Sequence, residues 1–100
     1  MRRSRINPVN SERAKQNREY IVLARAYLSS HYICEACAAK NATQIHHKGR
    51  RTGLWLTYVP FFMAVCCDCH TWIEHNGKEA EGLGWIKRIR VPFKDYLKTP

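Results

Sequence analysis

The chain has 100 residues, a formal net charge of +9 at pH 7 and a hydrophobic content of 45%. This length allows one domain with a modest core, and the composition excludes a disordered chain. We expect no membrane attachment, because no apolar run is long enough to span a bilayer and no apolar segment follows the basic start. The positive charge favours a polyanionic partner, most simply nucleic acid, although solubility alone is an alternative explanation.

The first third of the chain is predicted to be a basic arm followed by a helix. Residues 1–10 carry several arginines and few apolar side chains, which is typical of a flexible arm. Asn10 or Ser11 could cap a helix over residues 11–30. Its apolar residues recur at helical spacing: Tyr20, Ile21, Ala24, Tyr27 and Leu28. We expect this amphipathic helix to pack on the rest of a single domain, residues 11–100, and phosphate contacts are a second role open to it.

The middle of the chain is predicted to form two short strands. Residues 43–46 favour the first strand, and a basic loop with two glycines follows it. The next apolar and aromatic run is interrupted by Pro60 and is ambiguous. Residues 58–61 favour a short helix or turn, and residues 62–65 favour the second strand.

The last third is predicted to be mainly helical. A helix should begin near His70, run to about Asn76 and end at Gly77. Residues 78–81 favour a further helical turn. The basic tail, residues 85–100, also contains apolar and aromatic side chains, so we expect part of it to pack.

Four of the five cysteines form two pairs with CxxC spacing: Cys34, Cys37, Cys66 and Cys69. Two such turns can place four sulfurs around one tetrahedral zinc ion, and in so small a chain zinc binding would be coupled to folding. Redox-active thiol pairs are the alternative, which we favour less because a redox CxxC usually occurs singly. Reduced thiols predict a cytoplasmic location. We expect Cys67, the fifth cysteine, to be a small buried apolar residue and not a reactive thiol.

Three histidines accompany these cysteines. His46 and His47 lie between the two pairs, and His70 directly follows the second pair. Together with the cysteines, these residues resemble the HNH endonuclease family, whose core is a ββα-metal motif. The resemblance covers residues 34–76, close to half of the chain. The matching stretches are 34–37, 44–48 and 64–74.

The resemblance implies a small, zinc-stabilised α+β fold in which the N-terminal helix packs on the ββα-metal motif. It implies that His47 is the general base and that His46 and His70 bind a second, catalytic divalent ion, such as Mg²⁺, Mn²⁺, Ni²⁺ or Zn²⁺. A neutral imidazole suits proton transfer near pH 7, and a divalent ion can stabilise the departing 3′ oxygen of a phosphodiester. The basic loop supplies candidate nucleic-acid contacts: Lys48, Arg50 and Arg51.

A third ligand of the catalytic ion is predicted from helix geometry. Glu74 is four residues after His70 and would lie above it on the same face of a helix. His75 is displaced by one residue from the position at which many family members have histidine. We therefore expect His75 to be an exposed polar residue near the end of the helix.

Two features depart from the family pattern. The asparagine that braces the loop between the strands is missing, so we expect aromatic packing to brace it instead. Neighbouring side chains on a regular strand also point to opposite faces. His46 and His47 can therefore reach one cleft only if the backbone distorts there, and a packing role for one of them is the alternative.

These observations predict a metal-dependent DNA endonuclease or nickase with little intrinsic sequence preference. Small, free-standing members of the family are common in phages and prophages. The resemblance thus also implies the cytoplasm of a bacterial host as the location and phage packaging proteins as further partners. Two alternatives are a zinc-stapled DNA-binding module that does not cut and an adaptor that binds the packaging machinery.

Overall fold

The computed structural model describes residues 8–98, with side chains from Ser11 onwards. The first helix, α1, spans Pro8–Ser30. It begins before the predicted cap at Asn10 or Ser11, and a proline is well suited to the first turn because its missing N–H has no helical partner there. Residues 1–7 of the predicted arm lie outside the described residues.

One face of α1 packs on the rest of the domain. Tyr20, Ala24, Tyr27 and Leu28 are half-buried, as their spacing predicts. Ile21, however, is 46% exposed, so its predicted place on the packed face is wrong. The packed stripe is centred on the two tyrosines, and at 100° per residue Ile21 lies at its margin.

The sheet is a two-stranded antiparallel hairpin. Strand β1 spans Gln44–His47 and strand β2 spans Phe62–Val65, which agrees with the second predicted strand. The register pairs Gln44 with Val65 and His47 with Phe62. The first strand begins one residue later than predicted.

The hairpin lies between two helices and presents a different set of side chains to each. Its side chains alternate between the faces, as in any regular strand. On one face, the rings of His47 and Phe62 contact Tyr20 of α1. On the other face, Gln44 is hydrogen-bonded to His70 of the following helix. The first face carries Ile45, His47, Phe62 and Ala64, and the second carries Gln44, His46, Met63 and Val65.

Aromatic side chains brace the long loop between the strands, as expected from the missing asparagine. Two 3-10 helices occupy this loop, Gly53–Thr57 and Val59–Phe61. Trp55 is 5% exposed and is surrounded by aromatic rings from the loop and from a short C-terminal helix, α4, at Phe93–Leu97. The rings within 6 Å of it belong to Tyr58, Phe61, Phe93 and Tyr96.

Two further helices follow the hairpin. Helix α2 spans Cys67–His75, and α3 spans Gly77–Gly82 where a further helical turn was predicted. The start of α2 lies before the predicted His70 because Cys66 caps it, its sulfur accepting a hydrogen bond from the Cys69 N–H. The main core lies between α2, α3 and the hairpin and consists of Cys34, Met63, Val65, Cys66, Ile73 and Ala80.

The described part of the chain is thus a small α+β unit with four α-helices and a two-stranded antiparallel sheet. Trp85 and Ile86 pack against the main core, so the basic tail is partly packed, as predicted. Within residues 8–98, none of the helices combines the length and the apolar character needed to cross a bilayer.

Candidate functional site

The two cysteine pairs come together at one end of the molecule. The sulfurs of Cys34, Cys37, Cys66 and Cys69 all lie within 4.8 Å of one another. Four sulfurs around a tetrahedral zinc ion at about 2.3 Å would be roughly 3.8 Å apart, so a small closing movement suffices. The four cysteines can therefore hold one metal ion such as zinc, in agreement with the prediction from their spacing.

The two CxxC turns are built in the same way. In each, the backbone N–H of the second cysteine lies 3.5 Å from the sulfur of the first and donates to it. Such N–H groups stabilise the negative charge of a thiolate. Burial raises the pKa of Cys34, but the N–H donors around its sulfur outweigh burial and lower that pKa to about 6.

Cys69, in contrast, would release its proton only to a metal ion. Burial, followed by hydrogen bonds to the neighbouring sulfurs, raises the pKa of Cys69. Thiols that share protons in this way favour binding of a cation, because the ion displaces the protons between the sulfurs. The donor set, four sulfurs with N–H support, fits zinc.

Cys67 lies in the same stretch but takes no part in the cluster. Its side chain is exposed at the start of α2, so the prediction that it is a small buried residue is wrong. It lies between two residues whose positions are fixed by the capped first turn of the helix. Cys66 and Cys69 are turned towards the core and the cluster, and Cys67 is therefore turned to solvent.

Polar contacts attach the first CxxC turn to the rest of the domain. A carboxylate oxygen of Glu35 accepts a hydrogen bond from the Tyr27 hydroxyl at 2.7 Å and another from the Ala64 N–H at 2.7 Å. Lys40 forms an ion pair with Asp68, which lies inside the second CxxC turn. The cysteine cluster is thus linked to α1, to β2 and across its own two halves.

Two of the predicted metal-binding histidines, His46 of β1 and His70 of α2, are neighbours. The rings of His46 and His70 are 5.5 Å apart between centroids and nearly perpendicular. Nε2 of His46 donates to the Trp85 carbonyl at 2.7 Å, and Nδ1 of His70 donates to the Gln44 amide oxygen at 2.5 Å. These hydrogen bonds leave the second nitrogen of each ring, Nδ1 of His46 and Nε2 of His70, as the atom that could bind a metal ion.

The predicted third ligand lies next to His70. The carboxylate of Glu74 is 3.9 Å from Nε2 of His70, one helical turn along α2. His75 is exposed and bonds to the carbonyl of Thr71, as expected for a polar residue at the end of a helix. Among the described residues, only the four cysteines bring three or more ligand atoms within 4.8 Å of one another, so His46, His70 and Glu74 do not form so close a group.

His47 lies on the opposite face of the hairpin from His46 and His70. Its ring packs between Tyr20 of α1 and Phe62 of β2, each at a centroid distance of 5.3 Å. Nε2 of His47 donates to the Leu56 carbonyl at 3.1 Å, which leaves Nδ1 as the basic nitrogen. The strand is regular at this point, so the alternation of side chains separates the two neighbours.

Both strand histidines are held neutral by burial. Burial lowers the pKa of His46 and of His47, the hydrogen bonds to the carbonyls of Trp85 and Leu56 act in the opposite direction, and the positive charge of Arg51 lowers the pKa of His47 further. The described residues contain no buried side-chain nitrogen that lacks a hydrogen-bond partner. Nδ1 of each ring, for which those residues offer no partner, therefore keeps some contact with solvent although the side chain is buried.

The three predicted nucleic-acid contacts have different surroundings. The backbone of Lys48 is fixed by hydrogen bonds to Phe61 and Lys87. Arg50 reaches the carbonyl of Ile89 at 3.4 Å. Arg51 is exposed at the entrance to the first 3-10 helix. Their contact with nucleic acid remains a prediction.

Sequence reasoning missed the groups that orient the histidines. Gln44 lies two residues before His46 and thus on the same face of β1. The alternation of side chains along a strand could therefore have identified Gln44 as a neighbour of this site. The Trp85 carbonyl belongs to a segment without regular structure and gives no signal in the sequence. Such partners fix the orientation and the protonated nitrogen of a ligating imidazole.

Comparison with known proteins adds no assignment. No protein-family model matches the chain, and neither the curated proteins nor the solved structures give a match.

Proposed function

We propose that the protein is a zinc-stapled, metal-dependent endonuclease of the HNH type that hydrolyses phosphodiester bonds of DNA. The observation that carries the proposal is the facing pair of His46 and His70, each with one ring nitrogen hydrogen-bonded to a fixed acceptor and the other free of such a bond. This is how metal-binding imidazoles are usually oriented. The strongly basic composition supports a polyanionic substrate.

His46, His70 and the adjacent Glu74 would hold the catalytic ion. When bound, such an ion supplies Lewis acidity that stabilises charge on the phosphate and on the departing 3′ oxygen. His47 would take a proton from the attacking water at Nδ1, which its hydrogen bond to Leu56 leaves free. The water oxygen bonds to phosphorus as the phosphorus–3′-oxygen bond breaks, the 3′ oxygen takes a proton from solvent, and the products carry a 5′-phosphate and a 3′-hydroxyl.

His47 is the last residue of β1, at the loop end of the hairpin. The proposal therefore requires the scissile phosphate to lie across this end, with His46 and His70 on one side and His47 on the other.

A plasmid assay tests the proposal. Supercoiled DNA should be converted to nicked and linear forms when Mg²⁺, Mn²⁺ or Ni²⁺ is added, and His47→Ala should abolish cutting while DNA binding is retained. His75→Ala is the matched control, since His75 is exposed at the end of α2, and it should cut like the unmodified protein. Cutting that survives His47→Ala would contradict the role given to His47.

A second candidate is a zinc-stapled DNA-binding module that does not cut. The position of His47 on the other face of the hairpin favours it, because the general base and the metal ligands then do not share one cleft. In the same assay this candidate predicts retarded DNA, no strand breaks with any of the three ions, and no effect of His47→Ala.

A further inference from the structure

A small cleft lies between α1 and the segment that leads into the first 3-10 helix. Its volume is about 220 Å³. Ligand pockets that enclose drug-sized molecules have volumes of about 300–1,000 Å³, so this cleft suits a single small group. The polar side chains that line it are Arg13, Gln16 and Asn17 from α1 and Arg51 and Thr52 from the opposite segment.

The helix contributes its residues to the cleft by regular spacing. Arg13, Gln16 and Asn17 are at positions i, i+3 and i+4, which share one face of a helix. Tyr20 continues this face and packs on the ring of His47. The face of α1 that packs on the hairpin therefore carries polar side chains one helical turn earlier. These side chains form one wall of the cleft.

Two positive charges face this cleft without a negative partner. Within residues 11–98, whose side chains the structure describes, the side chains of Arg13 and Arg51 form no ion pair or hydrogen bond with another residue. Two guanidinium groups that line one small space repel each other unless an anion lies between them. The side-chain amides and the Thr52 hydroxyl add neutral donors around the same space.

We propose that this cleft binds one phosphate group of a nucleic-acid backbone, held jointly by Arg13 and Arg51. The planar guanidinium fork matches phosphate oxygens, which makes arginine well suited to this ligand. A net charge of +9 favours a polyanionic strand over an isolated anion or an acidic peptide.

The cleft also shares a wall with His47. Leu56 lines it, and the carbonyl of the same residue accepts the hydrogen bond from Nε2 of His47. Leu56 thus connects the cleft to His47, and we assign to a phosphate bound in the cleft the role of positioning the strand near His47. This positioning role rests on the proposed function, whereas the phosphate site itself does not.

A double-mutant cycle tests the shared site. The zinc-loaded proteins are titrated into a fluorescent 20-base-pair DNA duplex over a series of salt concentrations, without any added divalent ion. Arg13→Gln and Arg51→Gln should each weaken binding about tenfold, and the double variant should be scarcely weaker than either single variant. The slope of log affinity against log salt should become shallower by about 0.9 in all three, as expected for the loss of one phosphate contact.

Arg18→Gln is the matched control. Arg18 is on the same helix and carries the same charge, but at 100° per residue it lies about 140° around the helix from Arg13. It should leave the affinity and the salt slope close to those of the unmodified protein. If Arg18→Gln weakened DNA binding equally, the loss of affinity would be explained by overall charge alone, and the proposal would be overturned.

Three further outcomes would also overturn it. Additive losses with a change in slope of about 1.8 would assign the two arginines to separate phosphates. Unchanged DNA binding would remove both from the interface. Binding of inorganic phosphate that depends on both arginines, without any effect on DNA binding, would identify a free-anion site instead.

The plasmid assay separates this inference from the proposed function. If the protein binds DNA through the arginine pair but never cuts, the nuclease proposal fails and the phosphate site stands. If it cuts and the double variant binds and cuts like the unmodified protein, the phosphate site fails alone.

Discussion

The Tyr27 hydroxyl donates a hydrogen bond of 2.7 Å to the carboxylate of Glu35, which joins the N-terminal helix to the first CxxC turn. The same carboxylate oxygen accepts from the N–H of Ala64 in β2. Three parts of the chain that are distant in sequence thus meet at one side chain. Burial and the hydrogen bond to Glu35 both raise the pKa of Tyr27, so the phenol stays protonated and acts as donor.

Tyr27→Phe should therefore destabilise the fold. The variant keeps the ring and its stacking on His31 but loses the donor, and a hydrogen bond to a charged acceptor contributes about 1.5–3 kcal/mol. Urea denaturation of the zinc-loaded protein measures the change. Tyr32→Phe is the control, because Tyr32 is 64% exposed and should be replaceable without effect. Equal stability of the two variants would show that the Glu35 contact contributes nothing.

Removal of one sulfur from the cysteine cluster should abolish both zinc binding and folding. Cys34→Ser leaves only three sulfurs in the cluster, and binding free energies of about 10–16 kcal/mol in zinc-finger peptides show how much stability a structural zinc can supply. Elemental analysis should find one zinc per unmodified chain and none in the variant, and circular dichroism should show loss of helix. Cys67→Ser, which alters an exposed sulfur outside the cluster, should retain both. A folded, zinc-free Cys34→Ser protein would contradict the assignment.

Gly49→Ala should destabilise the loop between the strands. A Cβ at this position would lie 2.5 Å from a ring carbon of Phe61, which is 3% exposed in the aromatic cluster and has no room to move. Overpacking of this kind costs about 1–3 kcal/mol, which a shift in the thermal midpoint would report. Gly82→Ala is the control, since no atom lies within 4 Å of its Cβ and alanine favours the helix. A neutral Gly49→Ala would mean that the ring shifts freely.

The two buried strand histidines should make stability depend on pH. Their pKa values are depressed in the folded chain, so below about pH 6.5 the unfolded chain takes up protons more readily than the folded one. Stability is then complete above that pH and declines as the pH falls through the folded pKa values. His47→Gln can still donate to Leu56 and should show a smaller decline between pH 7.5 and 5.5.

Acid also removes zinc from the cysteines, but this contribution is common to both proteins and cancels in the comparison. His75→Gln, at an exposed position, should retain the full decline. An identical pH profile for His47→Gln and the unmodified protein would contradict the neutral, buried state of His47.

A second divalent ion should bind at His46 and His70 without being needed for the fold. Calorimetric titration of the zinc-loaded protein with Ni²⁺ should show one site, and His46→Ala or His70→Ala should weaken it at least tenfold. The circular dichroism spectrum of each variant should match that of the unmodified protein. Collapse of either variant would indicate that these histidines hold the structural ion.

The sequence predicted most where local rules decide the outcome. Residues 62–65 form the second strand as expected, and the cysteine spacing predicted the four-sulfur cluster. Strand alternation gave the separation of His46 from His47 only as an alternative, since the resemblance implied that both serve one site; the pleat of a regular strand sends neighbours to opposite sides. The exposed end position of His75 followed from its helical offset.

The features that escaped prediction depend on distant contacts. Helix α4 forms because Phe93 and Tyr96 pack on Trp55, and no periodic pattern of residues in the basic tail predicts this helix. The cleft arises because α1 crosses the loop near Arg51, and a helix-crossing position is not encoded in either segment alone. The exposure of Cys67 follows from a helix start that its neighbour Cys66 fixes by capping.

The hairpin at the centre of the domain has four residues in each strand. A ribbon of this size does not persist alone in water, so it depends on the helix on each side and on the sulfur cluster beside it. A chain deprived of zinc would expose these segments to proteases, which remove unfolded chains continuously. The cellular amount of this protein would then follow the zinc supply, because folded, metal-free molecules would not accumulate.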